Sequence, residues 1–217
     1  MIKKIVFYIS VLLICISSLA IVIHLYNSYT ENSEYKNIDT DNLLEQNSDY
    51  VGWLDVKDIV SLPVVQTDNN SFYLTHSFNK KENRIGCLFI DKNVLPQSNN
   101  IIIHGHNNHD SSMFSLLTKY KDEDFYKTHR KITFTTKDNE VKKYTVIAVI
   151  NYDVSDIQEF NIYSPDITDT YLKYIKTLSL FSSDLPFSAG DTYITLSTCD
   201  EETYGTNGRL VIIGVSL

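Results

Sequence analysis

Two short stretches of this chain carry residues able to do chemistry. The first, His104-Gly105-His106-Asn107-Asn108-His109, directly follows an apolar run, Ile101–Ile103. Histidines at this spacing can serve as metal ligands or as acid–base groups. A catalytic zinc site takes three protein ligands per metal. Beyond His109 only His129 remains, and the last 88 residues contain no histidine; we therefore expect no metal. The second stretch is Thr195-Leu196-Ser197-Thr198-Cys199-Asp200, which reads as a strand ending in a cysteine. A polar loop, Glu201 to Gly208, follows, and Arg209 opens another apolar run. A cysteine at a strand's end sits at the sheet rim, and a chain that loops and returns would set Arg209 beside Cys199 on the neighbouring strand. A guanidinium close to a thiol favours the thiolate and can donate to a developing oxyanion. In the bland alternative, Arg209 merely pairs with Asp200, Glu201 or Glu202 at the surface. Those acids oppose a thiolate, so the cysteine and its histidine are expected to rest mostly as neutral thiol and imidazole. Which histidine would serve is not given by spacing.

The elements that must position these groups are mostly strands. Apolar runs rich in β-branched and aromatic residues span 52–56, 62–65, 87–90, 101–104, 132–135, 144–154, 192–197 and 210–215, with polar, Asn-, Asp- or Gly-containing turns between them. Two segments have helical spacing instead. Met113, Leu116, Leu117 and Tyr120 recur at i, i+3, i+4, i+7, and Ile167, Tyr171, Tyr174, Ile175 and Leu178 mark one face of a helix ending near Phe181. Asp39 or Asp41 is placed to cap a short helix through Leu43 and Leu44. This pattern predicts a mainly β domain, a barrel or closed sandwich with a few helices. Cys87 falls in an apolar run and reads as core filler.

Charge and hydropathy place the domain. Residues 1–26 hold Lys3 and Lys4 and no acid, which leaves 17 basic against 27 acidic residues in the remainder. An acidic chain without a basic run is a poor nucleic-acid binder. From Ile5 to Tyr26 the chain is apolar apart from small or weakly polar residues; its 22 residues would span about 33 Å as a helix, enough for a bilayer core. Lysines before this run and Glu31 and Glu34 after it predict a cytoplasmic N-terminus and an exported remainder. Ser18-Leu19-Ala20 offers a signal-peptidase-like alternative, but the apolar run continues past it. We expect an anchor over 1–26, a juxtamembrane spacer over 27–39 and an extracellular catalytic domain over 40–217.

Taken together, the motifs resemble those of the sortases, membrane-anchored cysteine transpeptidases of Gram-positive bacteria, and specifically class B. His104–Asn107 is similar to the family's Y-G-H-N, which puts the catalytic histidine on His106, with His104 in place of the usual Tyr. Thr195–Cys199 is similar to T-L-x-T-C, and Arg209 matches the essential arginine. Val51–Leu54, Pro63–Gln66, Asp68–Asn70 with Tyr73-Leu74, and the helix over 166–181 resemble further class B features. The resemblance covers about 45–217. It implies an eight-stranded sortase-type β-barrel with peripheral helices behind one transmembrane helix, and no cofactor. Cys199 would attack the Thr carbonyl of an LPXTG- or NPQTN-like sorting signal near a secreted protein's C-terminus. Arg209 would steady the oxyanion, and His106 would act as general acid and then base while a peptidoglycan amine takes the acyl group. Asn70, Leu74 and Ser197 match groove positions, Glu201 stands where some members carry a proposed helper acid, and the loop with Ile162 and Tyr163 would form a groove wall. Two rivals are an exported Cys–His peptidase or amidase that transfers to water, and a non-enzymatic wall-binding β-domain.

Overall fold

The computed structural model describes residues 2–36, 38–108, 112–155 and 161–216. They fall into two compact units, 1–40 and 41–217. The first is the helix α1 (Ile2–Lys36). Within it Lys3–Ile23 is long and apolar enough to cross a membrane. The hydroxyls of Ser10, Ser17 and Ser18 donate to the carbonyls of Val6, Leu13 and Ile14 one turn earlier, so these three serines are satisfied inside the helix. The segment 27–36, which shows no apolar periodicity, continues α1 rather than leaving it. The segment contains neither Gly nor Pro, and extending an existing helix avoids the cost of a new nucleus.

The second unit is a closed eight-stranded barrel. Its strands are β1 (Tyr50–Val56), β2 (Val60–Val65), β3 (Leu88–Ile90), β4 (Asn100–His104), β5 (Lys131–Thr136), β6 (Val141–Asp153), β7 (Thr192–Cys199) and β8 (Gly208–Ser216). Around the barrel the order is β1-β2-β3-β4-β7-β8-β6-β5, with β5 closing on β1. The pairs β2–β3 and β4–β7 are parallel; the other pairings are antiparallel. All eight expected strands are present, with ends shifted by a few residues.

β1 alternates buried and partly exposed residues, as a strand with one wet face should. β8 does not, because Leu210–Val215 are buried on both faces. One face lines the barrel, and the other is covered by a cluster that includes Tyr171, Leu172 and Ile175 of α4 (Asp169–Leu178). Thr168 caps α4, its hydroxyl accepting from the Tyr171 amide at 3.2 Å.

The remaining helices are short: α2 (Leu43–Gln46), α3 (Glu123–Thr128) and α5 (Glu201–Tyr204). The residue at the cap position of α2 is Asn42, between the two expected acids and the helix, and its side chain makes no capping hydrogen bond. α3 escaped the periodicity reading at six residues, although Asp122, whose carboxylate accepts from the Phe125 amide at 2.8 Å, is a recognisable cap. The segment around Leu116, Leu117 and Tyr120 is a 3-10 turn, Ser115–Lys121, rather than an α-helix. An apolar i, i+3 repeat suits either winding.

Candidate active site

The end of β4 and the end of β7 run side by side. Their parallel register pairs His104 with Ser197, and the next turn carries His106 and Cys199 beyond that rung. Three hydrogen bonds staple the two strand ends together. The Gly105 amide donates to the Ser197 carbonyl (3.2 Å), the Thr198 hydroxyl to the Gly105 carbonyl (2.8 Å), and the Asn107 side-chain amide to the Cys199 carbonyl (2.8 Å). Thr198 and Asn107 therefore fix the spacing between the two reactive stretches. Sequence reasoning gave these two no role, although both stand inside the motifs it singled out.

On the other side of β7, the antiparallel hairpin pairs Cys199 directly with Arg209. The hairpin closes tightly: the Asp200 amide donates to the Gly208 carbonyl at 2.9 Å. A Cβ on Gly208 would lie 1.9 Å from the Asp200 carbonyl oxygen, so only glycine allows this approach. Arg209 is held from behind, its Nη1 donating to the carbonyls of Thr206 (3.0 Å) and Gly208 (2.7 Å). Among the described residues no acceptor takes its Nε or Nη2 hydrogens, which remain for a ligand. The surface pairing of Arg209 with Asp200, Glu201 or Glu202 is not formed; Lys121 binds Asp200 and Glu202 instead.

His106 Nε2 lies 2.8 Å from the Leu74 carbonyl. A carbonyl oxygen only accepts, so Nε2 carries the proton and Nδ1 is the position that gains or loses one. Gly86 backs this contact. Its φ is +74°, and a Cβ there would meet the Tyr73 carbonyl at 2.6 Å and His106 Cδ2 at 3.1 Å.

These groups open into one cleft of about 460 Å³, lined among others by Asn70, Leu74, His104, Tyr163, Ser197 and Arg209 together with Cys199 and His106. Six of the seven residues singled out from the sequence thus meet in one place. Glu201 does not; it is exposed in α5 and is not among the lining residues. Tyr163 forms a wall, its hydroxyl 2.8 Å from Ser197 Oγ. Burial pushes its phenol up, against the opposing pull of Ser197 and Arg209. Ile162 faces away and is fully buried in the core under α4.

The other end of the cleft holds a buried carboxylate that the sequence did not reveal. Asp91 Oδ2 accepts from His104 Nε2 (3.1 Å) and from the Asn70 side-chain amide (2.8 Å), while Oδ1 accepts from the Asn93 amide and side chain. Burial alone would disfavour its ionisation and raise its pKa, but hydrogen bonds from His104, Asn93 and Asn70 outweigh that and hold the carboxyl below its ordinary value. The His104 ring is flanked by Phe89 and Tyr163. The Asn70 side-chain oxygen accepts from the Lys92 amide, which fixes Asn70 at both ends.

All three cysteines are free, and Cys87 is buried as expected of core filler. Among the described residues no group of three or more His, Cys, Asp or Glu is placed to hold a metal; His109, the third histidine of the first motif, lies outside them.

Comparison with known proteins agrees with this geometry. The family model described as Sortase domain matches residues 54–216. Sortase B of Listeria monocytogenes is 33% identical over 86% of this chain and 79% of its own length, and that of Staphylococcus aureus is 29% identical over 85% and 77%. The crystal structure of Clostridium perfringens sortase B superposes with a TM-score of 0.74 at 27% identity, covering 82% of this chain and all of the other. A barrel that brings a strand-end cysteine, its cross-strand arginine and a histidine into one cleft, in a chain with these relatives, belongs to the sortase family, as a class B cysteine transpeptidase.

Proposed function

We propose that Cys199 is the nucleophile, Arg209 the oxyanion donor and His106 the general acid and base of a reaction that joins secreted proteins to the cell wall. The observation that carries this reading is the Cys199–Arg209 cross-strand pair opening into the same cleft as His106. The thiolate attacks the Thr carbonyl carbon of a C-terminal sorting signal of LPXTG or NPQTN type. The developing oxyanion lies toward the Arg209 Nε and Nη2 hydrogens, where donors count most because they are fixed in advance. His106 gives the Nδ1 proton to the departing amine, leaving a thioacyl enzyme and a neutral imidazole. The amine of a peptidoglycan precursor or cross-bridge then attacks the thioester; His106 takes its proton, and the thiolate leaves. Asn70, Leu74 and Ser197 line the path of the signal, and no metal or cofactor enters the cycle.

The apolar helix fits a single-pass membrane anchor. Lys3 and Lys4 before it orient the N-terminus to the cytoplasm and the domain over 40–217 to the outer face, where secreted substrates and lipid-linked wall precursors meet. Residues 27–39 serve as the spacer, most of it as an extension of α1.

The test is intact-mass spectrometry of the full chain in detergent, offered a panel of sorting-motif peptides with and without oligoglycine. The expected result is a mass gain on Cys199 equal to the peptide up to its Thr. It is absent in Cys199→Ala and is cleared by the amine as a transfer product. Clearance by water at the same rate with and without the amine would instead support the hydrolase.

A further inference from the structure

The residues just after Cys199 are acidic, and two of those acids meet a single lysine. Lys121, the last residue of the 3-10 turn, places Nζ 2.9 Å from Asp200 Oδ1 and 2.8 Å from Oδ2, and 2.7 Å from Glu202 Oε2. It donates a directed hydrogen bond to Oδ1, whereas Oδ2 lies within ion-pair distance without accepting one. Asp200 is buried, only 3% exposed, so its charge needs a partner within the protein. The turn that carries Lys121 is itself fixed by the buried Leu117 and Tyr120, the latter bonding the His129 carbonyl. Partial burial works against the Lys121 charge, but Asp200 and Glu202 more than offset it and keep the ammonium protonated above its ordinary range. Glu202 is drawn below its own range by the same contact.

We propose that Lys121 is a positioning residue for the nucleophile: it offsets the charges of Asp200 and Glu202 and tethers the β7–β8 hairpin, so that the acids one and three residues after Cys199 do not add two uncompensated charges near its thiolate. The charged and titratable groups near Cys199 come from several elements. His104 and His106 from the end of β4, Asp91 after β3, Arg209 on β8 and Tyr163 before α4 share the cleft with it, while Asp200, Glu201 and Glu202 follow it directly in the chain and Lys121 reaches two of them from the 3-10 turn. With Lys121 in place, the group Lys121–Asp200–Glu202 carries one net negative charge; without it, two. The added charge disfavours the thiolate, and after solvent screening the effect is on the order of fivefold to tenfold in thiolate fraction. The sequence reading, in which all three acids oppose the thiolate, is thereby amended: two of them share a cation.

This inference rests on Cys199 being the nucleophile, and it is tested on a different readout from that claim. Alkylation of Cys199 by iodoacetamide is followed against pH in the full chain in detergent, with peptide mapping to separate Cys199 from Cys15 and Cys87. Lys121→Met is expected to move the midpoint for Cys199 up by about 0.7–1 pH unit. Lys121→Arg should leave it in place, and Asp200→Asn combined with Lys121→Met should bring it back towards the original. An unmoved midpoint in a folded Lys121→Met chain would reduce the lysine to a tether and overturn the proposal. Should that variant fail to fold, Asp200→Asn alone decides: with Lys121 retained the midpoint must fall, and no fall overturns the proposal equally. Failure of the thioacyl experiment would leave these midpoints measurable, so the two claims fail separately.

Discussion

His104 and His106 stand two residues apart on the same strand extension and line the same cleft, yet their partners differ in kind. His104 Nε2 meets the carboxylate of Asp91, whereas His106 Nε2 meets the backbone carbonyl of Leu74. A buried carboxylate binds a ring N–H in a strong contact that ties the ring to one partner. A carbonyl orients the ring and fixes its tautomer through a weaker, neutral hydrogen bond. A group that must give up a proton and later take one back is better served by the second arrangement. Motif spacing offers two equivalent histidines, and the residues behind them fit His106 to the proposed proton shuttle and His104 to a structural pair.

The sharpest way to break this comparison is to remove each ring in turn. Replacing His106 with Ala should lower kcat/KM for transfer of a sorting peptide by about 10²–10⁴, the usual worth of a positioned acid–base group. His104→Phe, which keeps an aromatic ring between Phe89 and Tyr163, should cost about tenfold or less, mainly in KM. Equal losses in a peptide-transfer assay would mean the two histidines share the proton work.

The other partner contacts give the next effects. Gly86→Ala forces a side chain into a left-handed backbone position and against the Tyr73 carbonyl beside His106. It should lower kcat by about tenfold and stability by roughly 1–3 kcal/mol, read by transfer kinetics and thermal melting. Asp91→Asn should cost about 1–3 kcal/mol near pH 7 while leaving the thioacyl step at Cys199 within a few-fold of the original. The sign of its pH dependence follows from the lowered folded value. The carboxylate's contribution is fully present above its unfolded value, near 3.8, and is lost as pH falls through the lower folded one. Melting curves of the two proteins should therefore converge as pH falls below about 4. A constant gap down to pH 2 would show that the charge on Asp91 is not what stabilises the pair.

What was legible in the sequence, and what was not, follows the range of the interactions. The eight strands could be read because each is a local run of β-branched and aromatic residues between turn formers. The Cys199–Arg209 pairing could be read because a hairpin joins them. The winding of Ser115–Lys121 could not, since 3-10 and α-helix share the i, i+3 repeat. The partners that give each site residue its character come from far away in the chain. Leu74 lies 32 positions from His106, and Lys121 lies 79 from Asp200. Asp91 is only 13 positions from His104, but it sits across the antiparallel β3–β4 pair, and nothing local marks its carboxylate as buried. Family resemblance pointed to His106 and to the groove positions, but it carried no information about these partners.

The smallest expected effect concerns Glu201, where the resemblance and the geometry diverge. Its motif position suggests a helper acid, yet its side chain is exposed in α5 and outside the cleft lining. An exposed carboxylate near the site acts on the nucleophile only through screened solvent, and at that range its charge changes little. Glu201→Gln should therefore leave kcat/KM for peptide transfer within about twofold, and the alkylation midpoint of Cys199 within about 0.3 pH unit. The same change at Asp200, the buried and lysine-bound neighbour, should move that midpoint by more. If Glu201→Gln were the larger of the two, α5 would have to approach the cleft during turnover, and the helper-acid reading would gain the geometry it lacks.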